Sequence, residues 1–450
     1  MAEIKKLKFM REKKISKGSG QTLWEKAKKL IPGGSMLLSK SSDRFLPEYW
    51  PAYFSSAKGC NVWDLDENKF IDMSIMGIGT NILGYGHPEV DEAVQKTIEK
   101  GNMCTLNCPE EVLLAEKLID IHPWGDMVRF ARTGGEANAI AIRLARAATG
   151  RNDIAICGYH GWHDWYLASN LGDNNRLKGH LMTGLDPLGV PEQLLGTTHP
   201  FTFNRIDQLE DIVENHDLAA IKMEVQRSEP PLEGFLEKIR KLATEKGIVL
   251  IFDECTSGFR ETFGGIHKKY RVNPDLAIFG KALGNGYAIT AILGISNIMA
   301  FGERSFISST FWTERIGPTA ALKTLEVMEK EKSWEYITNM GKYLNKKWLD
   351  LAKCHGLEIE LSGIPSLTNF NFKTDNSLKY KTLISQEMLK KGYLASNECY
   401  LATPHSKDVI DRYLENLDGV FKLIKKCDKD NSIDEFLDGP CSIKGFKRLN

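Results

Sequence analysis

The nine cysteines of this 450-residue chain make no disulfide framework, being odd in number and scattered over its whole length. Cys104-x-x-x-Cys108 has no second pair to complete a zinc site, so no metal is expected. Reduced thiols and a cytoplasmic setting follow. Net charge is also lacking: 59 Lys plus Arg stand against 59 Asp plus Glu, which leaves no overall field to draw nucleic acid or an acidic membrane surface. No apolar run is long enough to span a bilayer. Internal repeats, low-complexity tracts and long linkers are missing too, so the parts of the chain are expected to pack closely. Residues 1–17 carry Lys5, Lys6, Lys8, Arg11, Lys13, Lys14 and Lys17, but Glu3 and Glu12 interrupt the charge and no cleavage signal follows. They read as a solvated arm. Two nucleotide signatures fail as well: Gly77-x-Gly79 has Ile82 where a dinucleotide fingerprint needs glycine, and Gly280-Lys281 has Asp275 and Ala282 where a P-loop needs glycine and Ser or Thr.

What is present is the pattern of an α/β protein with 42% hydrophobic residues and room for two domains. Apolar strands at Met127 to Ala131, Ile154 to Cys157, Leu218 to Met223, Ile248 to Phe252 and Leu276 to Phe279 alternate with amphipathic segments. That alternation means βα units and a mostly parallel sheet. Ala137, Ile140, Ala141, Leu144, Ala145 and Ala148 recur at helical spacing, and Gly150 ends that helix. Thr22 to Leu30 reads as a helix stopped by Ile31-Pro32-Gly33-Gly34, a candidate loop over the site. Beyond residue 325 longer charged helices, at Leu322 to Glu331 and Lys407 to Lys425, surround short strands such as Thr368 to Phe372. The expected division is 1–75 for the arm and a segment contributing to the small domain and the active-site entrance, 76–325 for the large domain, and 326–450 for a smaller α+β domain.

Chemistry-bearing residues gather at strand ends, where parallel sheets bind ligands. Gly247-Ile-Val-Leu-Ile-Phe-Asp253 ends on an acid, and Asp275-Leu-Ala-Ile-Phe-Gly280-Lys281 ends on an amine. Taken singly, Asp253 is also a helix N-cap and Lys281 a solvated lysine. Together they suit pyridoxal 5'-phosphate, whose aldehyde needs a lysine and whose ring nitrogen needs an anion. Arg132-Thr133-Gly134-Gly135-Glu136 leads from a strand into a helix N-terminus; it is either a plain turn or a phosphate site. In Gly158-Tyr159-His160-Gly161-Trp162-His163-Asp164, Tyr159 is placed to stack on a flat ring. The two histidines with Asp164 are too crowded for a metal site, and His163 reads as an ordinary hydrogen-bonding loop residue. Glu224 and Glu229 read as supporting carboxylates.

Ile31-Pro-Gly-Gly34, Gly84-Tyr-Gly-His-Pro88, Thr133-Gly-Gly-Glu-Ala137, Tyr159-His-Gly161, Asp253-Glu-Cys-Thr-Ser-Gly-Phe-Arg260 and Gly280-Lys281 together carry a resemblance, from about Thr22 to Lys425. The chain resembles class III pyridoxal-phosphate aminotransferases of fold type I, in the branch that contains glutamate-1-semialdehyde 2,1-aminomutase. The resemblance implies a large domain with a seven-stranded, mostly parallel sheet flanked by helices, plus a smaller C-terminal α+β domain. It implies that Lys281 forms the Schiff base and that Asp253 keeps the ring nitrogen protonated. Tyr159 would cover one ring face, Cys255 the other, and Gly134 and Gly135 would bind the phosphate, with His160 and Glu224 completing the cofactor set. Thr310 matches the residue given to the neighbouring subunit's phosphate, which implies a homodimer with shared active sites.

The sequence departs from the aminomutase at three places. Lys40 stands about where an arginine meets the substrate carboxylate, and it lacks the bidentate fork. Glu229 replaces an asparagine, which favours transamination. Phe311-Trp312-Thr-Glu-Arg-Ile-Gly-Pro318 replaces a shorter turn and places Trp312 in the substrate pocket. Tyr400 to His405 lacks the small-domain arginine of some ω-amino-acid transaminases. The expected activity is amino transfer from a donor such as glutamate to a small carbonyl acceptor, such as a sugar or phosphorylated compound. The alternatives are an aminomutase and a catalytically inactive cofactor-binding protein.

Overall fold

The computed structural model describes residues 15, 17–171 and 186–444; the basic arm as far as residue 14 lies outside them. Along the chain, β1 (Phe54–Lys58), β2 (Asn61–Asp64) and β3 (Lys69–Met73) come first. Next come β4 (Met127–Ala131), β5 (Asp153–Cys157), β6 (Thr198–Pro200), β7 (Leu218–Met223), β8 (Val249–Asp253), β9 (Leu276–Phe279) and β10 (Thr290–Gly294). The last four are β11 (Ile359–Ser362), β12 (Leu367–Phe372), β13 (Tyr393–Ala395) and β14 (Glu398–Tyr400).

The chain divides into two units, one built from both ends of the sequence, up to Gly86 and again from Ile337, and one from His87 to Tyr336. In the first, β1-β2-β3-β13 form one sheet and β11-β12-β14 another. The segment before Gly86 is tied into this unit: Gly59 and Tyr85 form a β-bridge, and Tyr85 Oη donates to Asp72 Oδ2 at 2.6 Å. The helix Ile316–Glu331, across the boundary expected at 325, lies wholly in the second unit, packed on the helices Pro88–Glu99 and Pro109–Ile121.

The second unit carries the seven-stranded sheet, in order β4-β10-β9-β8-β7-β5-β6. Every neighbouring pair from β9 through β6 is parallel, and only β10 runs antiparallel, between β4 and β9. Two strands escape the sequence pattern for physical reasons. β10 follows β9 through one 3-10 turn, Lys281–Gly284, with no helix to mark a βα unit. β6 is three residues long and contains Pro200, which cannot donate to a ladder and suits the edge it occupies.

The helix Gly134–Thr149 covers one face of the sheet. Ala137, Ile140, Ala141, Leu144 and Ala145 are buried there in one cluster with Ile251, Ile278 and Ile292. Each large aliphatic chain so removed from water contributes about 1.5–3 kcal/mol. Gly150, at φ +70°, ends the helix in the left-handed conformation.

Near Phe279, His122 is fully buried, with its ring 4.7 Å from that phenyl ring. Its Nδ1 lies 3.0 Å from the Leu118 carbonyl and its Nε2 accepts the Gly265 N–H at 2.9 Å, an arrangement only the neutral ring satisfies. Burial pushes its pKa down to about 3. The unfolded chain takes up this proton near pH 6.5 while the folded chain refuses it. Stability is therefore expected to fall as pH drops from about 6.5 toward 3, by about 1.4 kcal/mol per unit from this group. In His122→Gln the amide replaces both hydrogen bonds without titrating. Urea midpoints measured against pH should fall less steeply in the variant; parallel curves would refute the assignment.

Candidate active site

The carboxyl ends of β4, β5, β7, β8 and β9 lie along one edge of the sheet, because β10 alone is reversed. Asp253 is the last residue of β8 and pairs with Ile278 on β9, three positions before Lys281. The two predicted partners thus lie at and just beyond the ends of adjacent strands. Lys281 Nζ donates to Thr256 Oγ1 at 2.7 Å, and its backbone sits at φ +43°. That left-handed conformation costs a non-glycine residue about 1–3 kcal/mol and is typical of functional sites.

Asp253 is 3% exposed. Its Oδ1 accepts the Cys255 N–H at 3.2 Å, its Oδ2 pairs with His160 Nδ1 at 2.9 Å, and Lys222 Nζ lies 3.7 Å from that same Oδ2. Burial alone would raise the carboxyl's pKa, but Lys222 and then His160 overcome it and hold the group well below the usual carboxylate range. It is a carboxylate at any ordinary pH. His160 Nε2 faces the Cys157 carbonyl at 3.1 Å, so the ring is clamped at both nitrogens. Glu224, also buried, accepts the Tyr159 N–H at 3.1 Å through Oε2, which fixes the loop that carries the tyrosine.

The glycine turn after β4 is built as an open helix N-terminus. Thr133 Oγ1 accepts the Glu136 N–H at 3.3 Å, while Glu136 Oε2 accepts the N–H groups of Thr133 and Arg132 at 2.9 and 3.0 Å. This capping box leaves the amides of Gly134 and Gly135, which have no acceptor inside the helix. A Cβ on Gly134 would meet nothing closer than Cys255 Sγ at 3.6 Å, whereas one on Gly135 would lie 2.6 Å from His163. The turn, Cys255 and the His160 loop are therefore neighbours. His163 differs from its reading as an ordinary hydrogen-bonding residue: Nδ1 has no hydrogen-bond partner among the described residues, and the ring stacks on Trp162 at 4.6 Å.

The segment after Thr310 is strapped to this turn. Arg132 pairs with Glu314 at 2.9 Å and donates to the carbonyls of Trp312 and Glu314, and Trp312 Nε1 donates to Glu136 Oε1 at 3.2 Å. Trp312, expected in the substrate pocket, thus has its polar edge committed to the capping glutamate. Thr310 and Glu229 are exposed, and Lys40 is exposed in the other unit. Lys222, Thr256 and the Arg132–Glu314 pair were missed from the sequence. Lys222 had a signal, as the one charge in the apolar run of β7; the others depend on residues distant in the chain.

A second cluster, Asp153, His199 and His216, brings three metal-capable atoms within 4.8 Å of one another. The two imidazoles are stacked at 3.7 Å, so an ion between them could not lie in both ring planes, and His199 Nε2 instead pairs with Asp153 at 3.1 Å. Among the described residues no helix is long and apolar enough to cross a membrane.

The edge fits pyridoxal 5'-phosphate on its own chemistry. It offers two free amides at a helix N-terminus, a primary amine, and a carboxylate with lone pairs left beyond its two hydrogen bonds. Comparison with known proteins agrees. The model of the class-III aminotransferases matches residues 47–416. The chain is 34% identical to the 3-aminobutyryl-CoA aminotransferase of Cloacimonas acidaminovorans (strain Evry), over 82% of this chain and 87% of that one. It is 31% identical to the glutamate-1-semialdehyde 2,1-aminomutase of Hyperthermus butylicus, over 90% and 99% of the two chains. Among solved structures, the PLP internal aldimine form of the Sphingopyxis sp. MTA144 FumI protein superimposes with a TM-score of 0.82 at 27% identity, covering 92% of this chain and 98% of that one.

Proposed function

The chain belongs to the class-III aminotransferases, pyridoxal-phosphate enzymes of fold type I, and from that premise we propose that it moves an amino group from an amino-acid donor such as glutamate to a separate small carbonyl acceptor. The observation that carries this reading is the placement of Lys281 and Asp253 on adjacent strand ends, joined through Cys255 and Thr256. When bound, pyridoxal phosphate supplies an electron sink for the substrate carbon. Lys281 Nζ would hold the cofactor and, once freed, would be the base that moves a proton at that carbon. Asp253 would set a fixed negative charge against the ring nitrogen. The amides of Gly134 and Gly135 would bind the phosphate and Tyr159 and Cys255 would bound the ring, while His160 and Glu224 fix Asp253 and the tyrosine loop.

Intermolecular transfer is favoured by Glu229, an exposed carboxylate where the resemblance to the aminomutase calls for asparagine. The acceptor we propose has no simple α-carboxylate, such as a sugar or a phosphorylated carbonyl compound. One relative is, by its name, an aminotransferase of 3-aminobutyryl-CoA, a thioester that also has no free carboxylate beside the amino carbon. That supports including acyl thioesters in an acceptor panel. We also propose a homodimer in which the exposed Thr310 reaches the neighbouring subunit's phosphate.

The test is the near-visible spectrum of the holoenzyme before and after L-glutamate, with no acceptor present. Loss of the band with release of one 2-oxoglutarate per site is expected. A persistent band, together with turnover of glutamate semialdehyde alone in a carbonyl panel, would overturn the proposal in favour of the aminomutase.

A further inference from the structure

Lys222 has no assigned task in amino transfer, yet it is 0% exposed in a strand whose six residues are all buried. Its register partners are Ile156 on β5 and Ile251 on β8. Because strand side chains alternate, Lys222 lies on the same face as Ile251 and Asp253. The surroundings on that face are the apolar cluster that includes Ile156, Ile251 and Ile278. An ammonium group is expensive there without an anion. Among the described residues Nζ makes no hydrogen bond, and Asp253 Oδ2 lies 3.7 Å away. Cys255, Glu224 and His160 are the other titratable groups in its field. Asp253 therefore faces two basic side chains before any ligand arrives.

We propose that Lys222 is a positioning residue that keeps Asp253 ionised and shares its charge, so that the cofactor's ring nitrogen loses its proton more readily here than it would opposite an aspartate without that lysine. The inference rests on the pyridoxal-phosphate reading of the site. Two cations facing one carboxylate repel each other, and each weakens the other's hold on the shared charge. Lys222 occupies one side of Asp253 permanently, whereas the ring nitrogen is free to release its proton. The structure thus tunes the cofactor from the strand next to the aspartate, through a side chain that need not touch it.

The experiment is a solid-state 15N NMR titration of holoenzyme reconstituted with ring-15N pyridoxal phosphate, from pH 6 to 10, in wild type, Lys222→Met and Lys222→Gln. In wild type the nitrogen is expected to deprotonate within this range. In both variants the midpoint should rise by about one unit or more, corresponding to about 1.4 kcal/mol per unit. Superimposable curves would overturn the proposal, as would variants that only melt at lower temperature without moving the curve. If neither variant folds, wild type alone decides, and a nitrogen protonated up to pH 10 refutes the inference. Failure of wild type to take up the cofactor with a near-visible band would sink the reading of the site itself, an outcome distinct from the others.

Discussion

Replacement of Lys281 by alanine is expected to abolish covalent attachment of the cofactor and to lower turnover by about four orders of magnitude. Two functions are proposed for this one amine. Nζ would be the group that bonds to the cofactor aldehyde, and it would be the base that moves the substrate proton. Its placement depends on an extended Gly280, a left-handed Lys281 and the hydroxyl of Thr256 at 2.7 Å. Borohydride reduction followed by peptide mass analysis would read out the attachment directly: wild type should gain the reduced cofactor's mass on the peptide containing Lys281, and the variant should gain none. An unshifted spectrum and a labelled peptide in Lys281→Ala would refute the assignment. Because Lys281 is only partly buried at a strand end, the variant should remain folded, and its melting temperature serves as the control.

Asp253→Ala should have two separable effects. Turnover should fall about 10²–10³-fold, the usual cost of removing one fixed electrostatic partner from an active site. The apoprotein should also lose about 3–5 kcal/mol, because Lys222 would be left buried without its counter-charge and His160 without the partner of Nδ1. Thermal unfolding of apo and holo forms distinguishes the effects. A variant with wild-type turnover would remove Asp253 from the chemistry, and one with wild-type apo stability would mean that Lys222 is uncharged in the folded protein. In Asp253→Ala/Lys222→Met the stability loss should be largely reversed while turnover remains low, since the orphaned charge is gone but the ring nitrogen still has no anion.

Much of this architecture was legible along the chain because its signals are local. Five apolar runs marked five of the sheet's strands, and the stripe from Ala137 to Ala148 marked the helix that covers them. The missed strands lacked such signals: β10 has no crossover helix before it, and β6 is too short for a pattern. The unit boundaries depend on the Tyr85–Asp72 hydrogen bond and on the packing of helix Ile316–Glu331, which are long-range contacts. The surroundings of Trp312 were likewise not legible along the chain. Its indole is bonded to Glu136, 176 residues away.

Residue type and spacing alone were enough to single out the groups proposed to carry the chemistry: an acid and an amine at the ends of consecutive parallel strands, and a glycine turn entering a helix. Parallel sheets bring strand ends to one edge whatever the loops between them do. Only the tertiary structure decided the charge state of that edge. Lys222, His160 and Asp253 are separated by 62 and 31 residues of chain in the order His160, Lys222, Asp253, and their coupling arises from burial and from distances of 2.9 and 3.7 Å. Coulomb energies depend on separation and on the exclusion of water, and neither quantity is written in the order of the residues.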